Sequence, residues 1–294
     1  MKRKIILHGP STLTISLPSI WARNQNIKKG DELEVEELGH DLMISKNLDT
    51  SYGKKEIYIG NLRRIGKSSI TSAYRLGFDE IIIHFKDPAF IKEIREIVKE
   101  ELIGFDIILE DKNSCTIKDL TGNEKNEYNH AFKRLWYLLI DLSNESLNAI
   151  KSKDALKLKD ISKLDKSINK LSNYCLRVLI KRGHSDFKKT PKYYYLVKSL
   201  EETADKYKDI CNFLSLNLDR ISLSLIENLR LLNKQLSELH AIYNKYDDAQ
   251  LELLFLESKE LSNKINLSKK GDQHLSAILI GLRNILPLIL ELNS

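Results

Sequence analysis

The chain has 294 residues, of which 42% are hydrophobic, 30% charged and 7% aromatic, with 12 Gly and 5 Pro. This composition excludes a collagen-like, mucin-like or wholly disordered chain and leaves enough apolar material for real cores. The charge balance, 47 Lys and Arg against 41 Asp and Glu, gives a mild +6 that permits a nucleic-acid partner without demanding one.

Periodicity divides the chain into three parts, 1–48, 54–120 and 124–294. In the first, Met1 through Lys4 is basic, but the apolar run from Ile5 to Leu7 is too short for a signal-peptide core. The segments Lys4 to Leu7, Leu13 to Leu17, Glu32 to Glu36 and Asp41 to Ile44 are β-rich, and the middle two alternate apolar with polar residues. Turn formers separate them at Gly9-Pro10-Ser11, Lys29-Gly30-Asp31 and Gly39-His40. Pro18, followed by Ile20 and Trp21, predicts a short helix between the second and third strands. A module this small buries little surface alone, so it is expected to interlock with a second copy or pack on the rest of the chain.

The middle part predicts strand Glu56 to Gly60, helix Ser68 to Leu76, strand Glu80 to Phe85, helix Pro88 to Leu102, and strands Phe105 to Glu110 and Cys115 to Leu120. Asp87-Pro88 supplies a helix start and Gly104 a stop. Gly66-Lys67-Ser68 invites a phosphate-loop reading, but five residues separate Gly60 from Gly66 where that loop has four. An extra residue changes how the loop amides converge, so Ser68 or Lys67 is read as opening a helix. No catalytic set is evident in this part.

Residues 124–294 carry helical periodicity almost throughout. Apolar faces run through Leu135, Leu139 and Leu142, through Leu164, Ile168, Leu171 and Cys175, and through Leu196, Leu200, Ala204 and Tyr207. Breaks at Ser152 to Asp154, Arg182 to Pro191, Asn217, Asn244 to Asp248 and Lys269 to Gly271 predict about six helices in two three-helix hairpins, forming an antiparallel bundle. The longest apolar stretch, Ile278 to Leu290, is interrupted by Arg283, Asn284 and Pro287 and falls short of the ~20 residues of a membrane span. The expected fold class is therefore a multidomain α+β chain, with a β-rich hairpin module, a small α/β unit and an all-α antiparallel bundle.

The first part resembles the swapped-hairpin DNA-binding module of the AbrB/MazE/SpoVT family through Gly9, Leu13, Ile15, Leu17, Pro18, Ile27, Gly30, Asp31, Leu33 and Val35. The resemblance implies a homodimer bound to double-stranded DNA. The residues it points to are Lys2, Arg3, Lys4, Ser11, Thr12 and Arg23, which would contact phosphates and groove edges. The family often has two adjacent arginines at the helix end, where this chain has Ala22-Arg23. Asp31, Glu32, Glu34, Glu36, Glu37 and Asp41 restrict any cationic surface to the first-strand face.

In the helical part Glu201 and Asp205 stand four residues apart, so one helical face could offer both carboxylates to one ion. The run from Leu200 to Asp205 resembles the PhoU family of phosphate-uptake regulators, in which an acidic pair from the preceding helix completes metal clusters. That pair appears here as Asp165 and Asn169, and Lys206 stands where the family often has His. The second repeat has only Glu257 and Glu260 on its middle helix and no acidic pair on its last. The resemblance thus points to Asp165, Glu201 and Asp205 as ligands of a di- or trivalent ion such as iron, zinc or magnesium. The plainer reading is a solvated face or intrabundle ion pairs. Histidines show no ligand spacing, and Cys115, Cys175 and Cys211 lack the pairing or CxxC spacing of a disulfide or zinc framework, which suits a reducing cytoplasm.

The combination is similar to an archaeal type of fused phosphate-uptake regulator. It implies a non-enzymatic, dimeric, cytoplasmic DNA-binding regulator of phosphate uptake without membrane insertion, whose bundle senses phosphate status either through metal or by contacting a phosphate transporter or signalling protein. The alternative is a PhoU-like signalling adaptor that binds a transporter or kinase, with the N-terminal module used only for dimerisation.

Overall fold

The chain is a multidomain α+β fold, with small sheets toward the start and a mostly helical remainder. The computed structural model describes residues 1–38, 41–46, 53–60, 63–121, 127–161 and 163–293. They fall into two compact units, Met1–Thr50 and Ser51–Ser294.

In the first unit β1 (Ile5–His8) pairs antiparallel with β2 (Thr12–Ile15), and β3 (Glu34–Leu38) with β4 (Asp41–Ser45). The register sets Ile5 opposite Ile15 and Leu7 opposite Leu13. Since side chains alternate across a strand, these four share one face of the hairpin, each 53–67% exposed. Helix α1 (Ser19–Asn24) begins at Pro18, whose carbonyl accepts from the Ala22 amide and whose fixed φ suits a helix start. Gly30 closes the next turn at φ +95°, a conformation L side chains resist. There the Asp31 carboxylate accepts from the Lys28 amide and from Lys46 Nζ, which hold its pKa below the usual range. No residue of this unit whose burial is described is buried. The predicted Gly39-His40 turn lies outside the described residues.

The second unit opens with β5 (Lys54–Ile59), α2 (Arg63–Arg75), β6 (Glu80–Phe85), α3 (Phe90–Glu101), β7 (Phe105–Glu110) and β8 (Ser114–Asp119). They form a four-stranded sheet in the order β5-β6-β8-β7, with β5 and β6 parallel and the other neighbours antiparallel. Ile57, Ile59, Ile81, Ile83 and Ile117 alternate onto one sheet face, and Ile70, Tyr74, Phe90, Ile94 and Ile97 from the two helices join them in one core. Helix α2 starts before the predicted Ser68, and Gly66 lies within it. A Cβ at Gly66 would come 2.9 Å from Ile59 and 3.2 Å from Phe90, so this glycine lets the helix sit close on the sheet. Lys67 pairs with Glu101 at 2.6 Å. The Gly-Lys-Ser run therefore has a packing explanation.

The bundle comprises α4 (Tyr128–Ser152), α5 (Ala155–Ile161), α6 (Asp165–Arg182), α7 (Thr190–Ser215), α8 (Leu223–Asn244), α9 (Asp248–Lys264) and α10 (Lys270–Asn293). The breaks fall where expected, except that the predicted second helix is divided into α5 and α6. Asp154 opens α5 by accepting from the Leu156 and Lys157 amides at 3.0 Å. Leucines and isoleucines from all seven helices make one core. Within it Tyr207 donates to Asn233 Oδ1 at 2.8 Å, and Asn233 donates to the Ser143 carbonyl at 2.6 Å, a buried polar link between α4, α7 and α8. Gly281 brings α10 close to α7, since a Cβ there would meet Thr203 Oγ1 at 2.7 Å. Among the described residues α10 is the one helix long and apolar enough to cross a membrane, and its Leu275, Leu279, Leu282, Leu286 and Ile289 are buried in the bundle. Cys115, Cys175 and Cys211 are free and buried, and burial pushes their thiols up to about 12, 12 and 11, respectively.

Three half-buried histidines are expected to make the stability of the bundle depend on pH. His184 stacks on Tyr193 with centroids 4.0 Å apart, His240 lies 5.3 Å from Trp136, and His274 lies 5.0 Å from Phe213. Burial lowers the pKa of each. The unfolded chain therefore binds protons first as pH falls below the ordinary histidine value of about 6.5, and stability is lost on that side. Thermal unfolding followed by circular dichroism is expected to show a lower midpoint at about pH 5.5 than at about pH 7.5, with a flatter dependence when all three are replaced by Gln. An equal slope in the triple variant would count against these residues as the source.

Candidate functional site

Lys2, Arg3 and Lys4 lead directly into β1, Ser11 sits in the hairpin turn, and Thr12 opens β2 opposite His8. All five are exposed, as is Arg23 in the last turn of α1, whose Nε lies 3.4 Å from the Ser19 carbonyl oxygen. The hairpin does not gather these residues into one cluster. The basic trio adjoins its open end and Ser11 and Thr12 its turn, roughly 13 Å apart for four residues of strand. Among the described residues, Lys2, Arg3, Lys4 and Arg23 make no ion pair, whereas Lys46 of the same unit pairs with Asp31 at 3.1 Å. Unpaired exposed cations keep their charge available to phosphates.

The acidic residues of the bundle do come near one another, at the contact between α6 and α7. Asp165, the first residue of α6, is only 4% exposed. Its Oδ2 accepts from Lys208 Nζ at 2.7 Å and from Asn169 Nδ2 at 3.0 Å. Lys208 also donates to Asp205 Oδ1, and Lys198 donates to Glu201 Oε2 at 2.5 Å. Burial raises the pKa of Asp165 against the pull of Lys208, and the nearby charges of Asp205 and Glu201 raise it further. Burial also works against the Lys208 charge, but its hydrogen bonds to Asp165 and Asp205 prevail and raise its pKa.

This donor set does not fit a di- or trivalent ion. Each of the three carboxylates already accepts from an ammonium of the chain itself, and a cation held among them repels a second one. Among the described residues no group of three or more His, Cys, Asp or Glu is arranged to hold a metal. Asp165, Glu201 and Asp205, expected as metal ligands, are thus better described as carboxylates neutralised by Lys198 and Lys208. Both lysines stand three residues from their acidic partner on α7, a spacing that was legible as a helical ion pair.

The opposite side of α6 joins the bundle to the α/β part. Arg177 is buried; its Nη1 donates to the Tyr74 and Phe78 carbonyl oxygens at 2.8 Å, and its Nη2 to Asp79 at 2.6 Å and Asp119 at 3.0 Å. Its guanidinium lies 4.9 Å from the ring centres of Tyr74 and Phe105. Lys166 pairs with Glu100, Lys170 donates to the Lys99 carbonyl, Asn173 accepts from Arg75, and Lys181 reaches Asp79. These residues recur every three or four positions. Read from sequence alone, such a polar stripe is a solvated helix face, and the joint was missed for that reason. The chain matches none of the protein families, curated proteins or solved structures with which it was compared.

Proposed function

We propose that the protein is a homodimeric, cytoplasmic DNA-binding regulator of phosphate uptake, with residues 1–48 as an AbrB/SpoVT-like module and residues 124–294 as a PhoU-like bundle. The observation that carries this reading is the first hairpin. Ile5, Leu7, Leu13 and Ile15 make an exposed apolar face in a unit with no buried residue among those whose burial is described, and among the described residues Lys2, Arg3, Lys4 and Arg23 make no ion pair. A second copy satisfies such a face, and it duplicates Lys2, Arg3, Lys4 and Arg23 about a two-fold axis, as DNA half-sites require. Because lysines fill the acidic pocket, phosphate status would reach the bundle through a contacting transporter or signalling protein. That contact would be coupled to the grip of the modules on DNA.

An electrophoretic mobility assay with random-sequence duplex DNA across a salt series tests the proposal. Wild-type affinity is expected to fall steeply with salt. Combined Arg3→Ala and Arg23→Ala removes four cations per dimer, which is expected to weaken binding and flatten the log–log salt slope by roughly 3–4. If the wild type ignores duplex DNA even at low salt, the module is a dimerisation clasp and the adaptor reading takes over. That second reading is favoured by Leu253 and Leu256 on α9, each more than half exposed and suited to a protein partner.

A further inference from the structure

We propose that Lys208 is the built-in cation of the α6–α7 acidic pocket: its ammonium stands where a divalent ion would otherwise bridge Asp165 and Asp205. The inference concerns only these two helices and stands apart from the DNA-binding reading. Asp165 opens α6 and is almost wholly buried, so its charge has to be met from within the protein. Lys208 meets it from α7 while holding Asp205 of its own helix, so one ammonium with three donors links carboxylates of two helices. Asn169 donates to the same Asp165 oxygen. Among the described residues the buried Asp165 Oδ1 and Asn169 Oδ1 have no hydrogen-bond partner, and these are oxygens of the kind a hard cation recruits. A tethered ammonium does not dissociate, so the contact between α6 and α7 is independent of metal supply. Since α6 also carries the Arg177 joint, the same lysine anchors the helix on which the α/β part is mounted.

Thermal unfolding of the full chain tests this, with Mn2+ and EDTA as probes and elemental analysis of the purified protein alongside. Wild type is expected to melt at the same temperature with either reagent. Lys208→Met is expected to melt about 5–10 °C lower, because it strands a buried carboxylate. Mn2+ should raise that variant toward wild type by entering between Asp165 and Asp205, whereas Lys208→Arg should need no such help. If Lys208→Met does not fold, the double variant Asp165→Asn with Lys208→Met is the readout. It is expected to fold and to be indifferent to Mn2+, because the buried charge is gone with its partner. The proposal is overturned by stoichiometric metal in the wild type, by a wild-type midpoint that EDTA lowers, by a Lys208→Met protein that melts like wild type or is not raised by Mn2+, or by a double variant that fails to fold.

Discussion

Replacing Arg177 with Met is expected to destabilise the second unit by about 3–5 kcal/mol, the cost of breaking a buried charge network by removing one partner. The side chain fills several roles at once. It donates to the backbone carbonyls of Tyr74, in the last turn of α2, and of Phe78, just after it, neutralises Asp79 and Asp119, and lies against the rings of Tyr74 and Phe105. Met replaces the apolar stem but removes the guanidinium that reaches both carbonyls and Asp119; the Tyr74 carbonyl keeps the Gly77 amide and Asp119 keeps Thr121 as donors. Lys181 still reaches Asp79, which places the loss toward the lower end of the range. Lys at 177 keeps the charge without the planar fork and is expected to recover only part of the stability.

The sheet core and the bundle core are separate clusters, and α6 connects them. Arg177→Met is therefore also expected to break the coincidence of their unfolding. Urea titrations would follow Trp136 fluorescence for the bundle and far-ultraviolet circular dichroism for the whole unit. A variant within about 1 kcal/mol of wild type, with coincident curves, would show that the joint is incidental to stability.

The second large effect concerns the first hairpin. Leu13→Asp is expected to weaken dimerisation about a hundredfold or more. Burying a leucine contributes roughly 1.5–3 kcal/mol, and an uncompensated carboxylate in its place adds a desolvation penalty. Leu13 lies opposite Leu7 in the register, and in the proposed dimer a two-fold axis would repeat the defect on the second copy. Thr14→Asp places the same charge on the other side of the same strand and is expected to leave the dimer intact. Sedimentation velocity over a concentration series distinguishes the two. A Leu13→Asp chain that dimerises as the wild type does would remove this face from the interface.

Most elements were legible because their signals are local. Alternation in Leu13 to Leu17 and Glu32 to Glu36 marked strands within a residue or two of β2 and β3, and Pro18 and Gly104 marked ends through backbone rules that act over a few residues, whereas Asp87-Pro88, expected to start a helix, lies before α3, whose N-cap is Ala89. The errors arose where a local sign had a non-local cause. Gly66 looked like a helix boundary, yet it lies inside α2 because Ile59 and Phe90 need the space above it. The polar stripe of α6 carried no sign of its role, because its partners Glu100, Asp79 and Asp119 lie far away in the chain.

The sequence by itself determined the α+β order of elements, the apolar helix faces and the three unpaired cysteines, since each depends on periodicity or composition along one segment. Tertiary structure alone decided what the charged residues do. Asp165 meets Lys208 across 43 positions of chain and Arg177 meets Asp79 across 98. A carboxylate or guanidinium has the same identity in water and in a core, but its energy is set by burial and by the partner brought to it. Those are properties of the packed chain, and of the two readings open for Asp165, Glu201 and Asp205 they favour ion pairs, while they make α6 the joint between the bundle and the α/β part.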